Sequence, residues 1–227
     1  MLLSRTMKSI SKFRRIQRMS NILLNTADIR HKSQVNGPGL RSVVWVQGCR
    51  RKCPGCINPH THEHKIVKLL DPEELGKELA QIKDTIGITF SGGEPFEQAA
   101  GCAILAETVK KYSKSVMVFT GFTYEQLKES EIPEVKRFLS SIDLLIAGPY
   151  IQELKCESRL WRASSNQTAH FLNPDIKPEN IDNEGDPVIE ISTDGQTLSY
   201  TGFPELEDLT LFDQMKNSKS ESVSLRP

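Results

Sequence analysis

Long apolar runs are absent from this 227-residue chain. The longest, such as Val43–Val46 and Leu144–Gly148, fall far short of the roughly 20 residues a helix needs to cross a bilayer, so a membrane partner is not expected. Cysteine is scarce and its count, five, is odd. With no secretory apolar segment either, a disulfide framework is excluded and a reducing, cytoplasmic setting is expected. Neither charge sign is in excess, with 29 basic and 29 acidic residues. Six of the basic ones (Arg5, Lys8, Lys12, Arg14, Arg15, Arg18) crowd the first 18 positions with no acid among them. The remainder is therefore mildly acidic, which argues against nucleic acid as a partner. No internal repeat or low-complexity core occurs, and the length suits one well-buried core with appendages.

The acid-free opening segment has the composition of a transit peptide, but it reads more simply as an unstructured extension ahead of a domain that begins at Met19. Beyond it, extended and helical patterns alternate. Arg41–Gln47 is an apolar run of strand length. Asp71–Lys83 opens on an N-cap Asp with Pro at the first helical position and sets Leu75, Leu79 and Ile82 on one face. A strand is predicted at Ile86–Phe90, a helix over Phe96–Tyr112, and a strand over Ser115–Thr120. A helix opened by a Thr-x-x-Gln capping box follows at Thr123, then a helix over Glu134–Ile142 and a strand over Asp143–Gly148. Strands separated by helices of this length predict βαβ units and a largely parallel sheet. The last part differs: Asn173–Pro187 is an irregular connector rich in Pro, Asn and Asp. Val188–Gly202 has two β-rich runs around Asp194-Gly195, a hairpin signature. A short helix is expected from Phe203, and a disordered tail at the end.

Three of the five cysteines, Cys49, Cys53 and Cys56, lie within eight residues, spaced C-x3-C-x2-C, in a loop directly after a buried strand. Pro54 and Gly55 permit the tight turn that aims successive thiolates at one centre. A structural zinc site would need a fourth ligand, and His60, His62 or His64 could provide it. Zinc modules, however, usually present two separated ligand pairs. An iron–sulfur cube held by three thiolates keeps one iron open to a small molecule. Cys102, on an apolar helix face, and Cys156 remain candidate fourth ligands, though a cysteine in a helix core usually serves as a small hydrophobe. The histidines, His31 included, read first as solvated loop residues.

Ile88–Ala99 places Ser-Gly-Gly-Glu-Pro at the C-terminal end of a strand, where parallel sheets put their sites. Gly92 and Gly93 let backbone approach a ligand, and Glu94 adds a carboxylate. The plain alternative is a strand-to-helix loop in which Glu94 caps the next helix. Thr120 and Gly121 repeat the arrangement at the end of the following strand, so these glycine-bearing ends and the three-cysteine loop point to one site.

Together "NGPGLRSVVWVQGC", the cysteine group, "SGGEP", "FTGF", "DLLIAGPY" and "LWRASSNQTAHFL", in order from about Met19 to Leu172, resemble the radical S-adenosylmethionine activases, specifically the branch that serves anaerobic ribonucleotide reductase. The resemblance implies an α/β fold, an open, shortened (β/α) barrel with a C-terminal β-hairpin appended. It implies one 4Fe-4S cluster on Cys49, Cys53 and Cys56, with S-adenosyl-L-methionine on the fourth iron. Gly92, Gly93 and Glu94 would hold its methionine part, Thr120 and Gly121 would line the mouth, and the backbone of Gly55, Cys56 and Ile57 would face the nucleoside. One-electron reduction of the sulfonium would release methionine and a 5′-deoxyadenosyl radical, which takes hydrogen from a glycine of a glycyl-radical enzyme. An electron donor such as flavodoxin or ferredoxin is the other implied partner. No acid–base pair is required, and none is nominated.

The expected organisation is an extension over 1–18, a core over 19–172, a connector over 173–187, a hairpin and short helix over 188–215, and a tail over 216–227. Two positions depart from the family pattern: Asn36 stands where Asp is usual before Gly-Pro-Gly, and Ala147 where Asp is frequent. Both remove a carboxylate near the expected contacts with partner or cation. The appended hairpin is either a lid or docking element, or a surface finish to the fold. Other readings are a radical enzyme acting on a peptide or small metabolite, and a non-catalytic zinc or iron–sulfur module.

Overall fold

The exits of four parallel strands form one end of the molecule, and everything proposed for the site lies there. The computed structural model describes residues 22–156, 160–175, 189–193, 197–202 and 224–226. In chain order the strands are β1 (Leu24–Ser33), β2 (Arg41–Val46), β3 (Lys68–Leu70), β4 (Gly87–Gly92), β5 (Ser115–Thr120), β6 (Leu144–Ala147) and β7 (Thr168–Phe171). They form one sheet in the order β3-β1-β2-β4-β5-β6-β7. The central β2, β4, β5 and β6 are mutually parallel. Antiparallel strands flank them, β1 and β3 on one side and β7 on the other.

Between the parallel strands run α1 (Pro72–Ala80), α2 (Ala99–Lys110), α3 (Tyr124–Glu129) and α4 (Pro133–Leu139). The expected caps are present. Asp71 accepts from the amides of Glu73 and Glu74, and Thr123 with Gln126 completes a capping box. All four helices pack on the same face of the sheet. Leu79, Leu105, Leu127 and Phe138 share a core with Val44, Val46, Ile88, Phe90, Val118 and Leu145. Alternate strand residues point to the other face, where Met117, Leu144 and Ile146 meet Phe119, Trp161, Ala169 and Phe171. Among the described residues no helix is long and apolar enough to cross a membrane.

Three expectations are revised. The helix expected from Phe96 starts as a 3-10 turn over Pro95–Gln98, and the α-helix begins at Ala99. Gln98 is drawn aside, its carboxamide exchanging hydrogen bonds with the Asn25 backbone and donating to the Gln47 carbonyl. β1 and β3 carry no strong alternation and were not anticipated. They are half-exposed strands stitched by pairing to neighbours far along the chain. The tail expected to be disordered contains β10 (Ser224–Arg226), parallel to β9 (Thr197–Gly202), which pairs antiparallel with β8 (Ile189–Thr193) as the hairpin signature predicts. The Asp194-Gly195 turn, the helix expected from Phe203, the extension over 1–18 and most of the connector lie outside the described residues.

The hairpin packs far from the strand exits. Glu190 meets Arg30 and the Gln34 amide, and Thr201 accepts from the Asn36 carboxamide. These contacts are at the entry of β2. Asn36 is thus buried against the hairpin and Ser33, and its carbonyl accepts from Thr89. Nearby, fully buried Arg41 donates to Thr89, Pro38, Ser115 and Ile88. Burial lowers its guanidinium to about 10 against nearby Asp143. A lid over the strand exits is therefore not where the hairpin lies.

Candidate metal centre

β2 ends at Val46 and the chain turns at Gly48, whose φ of +105° suits glycine. The turn is backed by the segment after the cysteines: Gly48 donates to the Thr61 carbonyl at 2.8 Å and Cys49 to that of His62 at 3.1 Å. Lys52 and Gly55 also have positive φ, of 47° and 69°, which curls Cys49–Cys56 into a tight loop. Within it the Cys56 amide donates to the Cys53 carbonyl. Cys49 is buried, Cys53 and Cys56 half-buried, and all three thiols are free.

Burial pushes the Cys49 thiol up, aided by Glu94 and Glu97 and opposed by backbone donors at Arg51 and Lys52. It pushes the Cys56 thiol up as well, and there the neighbouring Cys53 and Cys49 add to it. Cys49 and Cys56 therefore share an electrostatic neighbourhood that resists ionisation until a cation enters. A cationic iron–sulfur core reverses that balance, because a coordinated thiol is deprotonated. Among the described residues no group of three or more His, Cys, Asp or Glu is gathered to hold a single metal ion. A cube offers a separate iron to each thiolate and so asks for less convergence than a lone tetrahedral ion. The donor set fits the cluster.

Cys102 is fully buried in α2, where burial raises its thiol strongly. It belongs to the helix-side core. Cys156 donates its amide to Ala163, in a segment whose Gln152 carboxamide lies beside Gly55. His60 is exposed, with burial of its ring still lowering its affinity for a proton. His64 is not simply solvated: its Nε2 lies 2.8 Å from Glu97 Oε2.

The glycine-bearing strand ends arrive beside this loop. Gly93 and Glu94 donate their amides to the Val46 and Gly48 carbonyls. A Cβ on Gly93 would come within 2.2 Å of the Gly48 oxygen, so glycine is required there by close backbone packing. Gly92 and Gly93 stay partly exposed, whereas the Glu94 side chain is buried. One Glu94 oxygen accepts from the Phe96 amide at 3.0 Å and the Thr120 hydroxyl at 2.8 Å; the other accepts from the Gly121 amide at 2.9 Å. Arg51 Nε lies 3.8 Å from that second oxygen, and the guanidinium stacks 4.3 Å above the Phe122 ring centroid. Burial raises the Glu94 carboxyl against these donors. Glu94 is thus a strut between the ends of β4 and β5, and it also caps the next turn. Thr120 is buried with it, Gly121 remains half-exposed, and Ile57 is half-buried beside Cys56.

Sequence reasoning missed Glu97. It accepts from the Arg50 amide at 2.9 Å as well as meeting His64. Its position three residues past Glu94 carried no signal, because an acid in a first helical turn is commonplace.

A buried-strand exit carrying three free thiols, flanked by two glycine-bearing strand ends, is the layout of a cluster-binding α/β domain. The model of the 4Fe-4S single cluster domain family matches residues 35–170, and the chain belongs to that family. Its relatives are more particular. It is 34% identical over 146 residues to the anaerobic ribonucleoside-triphosphate reductase-activating protein of Salmonella typhi, covering 61% of this chain and 92% of that one. Proteins of the same name from Escherichia coli K12 and Enterobacteria phage T4 are 31% and 35% identical, with 92% and 85% of their lengths covered. The chain is a homologue of these activating proteins. One solved structure, QueE from Escherichia coli, aligns at a TM-score of 0.35 and 17% identity over 46% of this chain and 56% of that one, a likeness too slight to bear on the fold.

Proposed function

We propose that this protein is a radical S-adenosylmethionine enzyme that installs a glycyl radical on an anaerobic ribonucleotide reductase. Cys49, Cys53 and Cys56 hold a 4Fe-4S cluster, and S-adenosyl-L-methionine occupies the remaining iron. When bound, these groups supply a one-electron cleavage of the sulfonium and a carbon radical that takes hydrogen from a glycine of the partner. The observation that carries the reading is three free thiols on one loop, set against Gly92, Gly93 and Gly121, in a chain whose relatives are reductase-activating proteins.

The chain's own residues orient and enclose. Partly exposed backbone at Gly92 and Gly93 receives the methionine part, and Gly55, Cys56 and Ile57 face the nucleoside. Glu94 and Thr120 act from beneath, fixing the two strand ends against each other. Among the described residues the helices pack on one face of four parallel strands, which supports an open, shortened (β/α) barrel. A low-potential donor of the flavodoxin or ferredoxin kind supplies the electron.

Anaerobic reconstitution tests this. Parent protein and Cys102→Ala should each bind about four irons and four sulfides, as a single cube requires, and release methionine and 5′-deoxyadenosine under a reductant. Cys49→Ala, Cys53→Ala and Cys56→Ala should lose both properties, and the parent should generate a glycyl signal in paramagnetic resonance when mixed with the reductase. Tight tetrahedral zinc at the loop, or full iron retention in all three loop variants, would refute the assignment.

A further inference from the structure

One carboxylate joins three parts of the chain around the cysteine loop. Glu97 sits in the turn that follows the Ser-Gly-Gly-Glu-Pro strand end, with its side chain 18% exposed. Its Oε1 accepts from the Arg50 amide, next to Cys49, at 2.9 Å, and its Oε2 meets His64 Nε2 at 2.8 Å. The Arg50 guanidinium is more distant, 3.9 Å from Oε2, and mostly exposed, so the backbone contact is the specific one. The His64 ring in turn lies against the Gly48 turn, where an added Cβ would come within 3.0 Å of the ring carbon Cδ2. The segment that carries His64 also receives the Gly48 and Cys49 amides through Thr61 and His62.

We propose that Glu97, together with His64, is a positioning residue that clasps the Cys49–Arg50 arm of the cysteine loop, and that its negative charge holds down the reduction potential of the cluster bound there. The inference rests on the assignment of a cluster to Cys49, Cys53 and Cys56. Two physical consequences follow. The clasp limits how far Cys49 swings away when the cluster is attacked. The charge acts differently: reduction adds an electron beside a fixed carboxylate of low exposure, so the reduced state is disfavoured and becomes a stronger reductant.

The geometric and electrostatic parts separate by substitution in the reconstituted full-length protein. Glu97→Gln keeps an oxygen for the Arg50 amide and loses the charge; Glu97→Ala loses both. Midpoint potential by paramagnetic resonance and the rate of cluster loss to a chelator are the readouts. Glu97→Gln should lose its cluster at close to the parent's rate with a raised potential. Glu97→Ala should show the raised potential and lose its cluster about tenfold faster, the factor expected for the loss of one hydrogen bond. His64→Ala should accelerate loss, and His64→Gln, which still offers a donor to Glu97, should restore most of the parent's retention. A parent that takes up no cluster overturns the assignment on which the inference rests. A parent that loads, with Glu97→Ala matching it in both potential and rate, overturns the clasp alone.

Discussion

Replacing Glu94 by Gln changes almost no volume and yet breaks the strut between the two strand ends. The carboxylate meets donors on both oxygens: Phe96 N–H and the Thr120 hydroxyl on one, Gly121 N–H on the other. An amide has a single oxygen. If that oxygen faces Phe96 and Thr120, the NH2 group confronts Gly121 N–H; turned over, it confronts Phe96 N–H. Every orientation leaves one backbone donor facing another donor. The loss of a charge-assisted bond and the stranded N–H together cost about 3 kcal/mol. Relief of the buried charge, which is what raises the Glu94 carboxyl, offsets part of this, so a net loss of about 2 kcal/mol is expected. With a urea dependence of about 2 kcal/mol per molar, the midpoint falls by about 1 M. Thr120→Val removes one of the three donors and should cost about 1 kcal/mol. Because the two side chains share a hydrogen bond, their double-mutant cycle should show a coupling of about 0.5–1 kcal/mol. Equal midpoints for the parent and Glu94→Gln, with no coupling to Thr120, would refute the strut and favour a carboxylate held free for a ligand.

Gly93→Ala forces a Cβ to within 2.2 Å of the Gly48 oxygen and 2.8 Å of its carbonyl carbon. Backbone must yield, at about 1–3 kcal/mol, and the part that yields carries Cys49. Iron retained after anaerobic reconstitution should fall several-fold, and parent-like iron content would contradict the packing argument. His170 makes a pH prediction. Its ring is half-buried, 4.4 Å from the Tyr124 ring centroid, and burial with Lys128 lowers its proton affinity against the pull of Glu125. A depressed folded value means that the neutral ring's contribution is complete above the ordinary imidazole value of 6.5. It is lost as the pH falls through the lower folded one, because the unfolded chain takes the proton first. Stability by urea unfolding should therefore decline as the pH falls from 6.5 towards that lower value, and His170→Phe should flatten the decline; an unchanged slope would assign it elsewhere.

The α/β class, the four parallel strands, the capped starts of α1 and α3 and the three-thiol loop are legible from residue order, because each is set by periodicity or by contacts between near neighbours. β1 and β3 escaped that reading: their pairing energy comes from residues 8 to 20 positions away for β1 with β2 and 42 to 46 away for β1 with β3, and a half-exposed strand needs little hydrophobic alternation. For Glu94 the sequence left two roles open, ligand contact and helix cap. What residue order did not show is that Thr120, Gly121 and Phe96 all donate to its buried oxygens, since that depends on the ends of two strands meeting.

The sequence by itself determined which atoms could bind a cluster, since only three thiols share one loop and local spacing dictates that. Only the tertiary structure decided what stands behind them. Glu97 and His64 lie 33 residues apart and meet beside Cys49, while the hairpin settles at the entry of β2, away from the strand exits. Local chemistry is written in neighbouring residues; the field and the bracing around it arise from side chains that chain folding alone brings together.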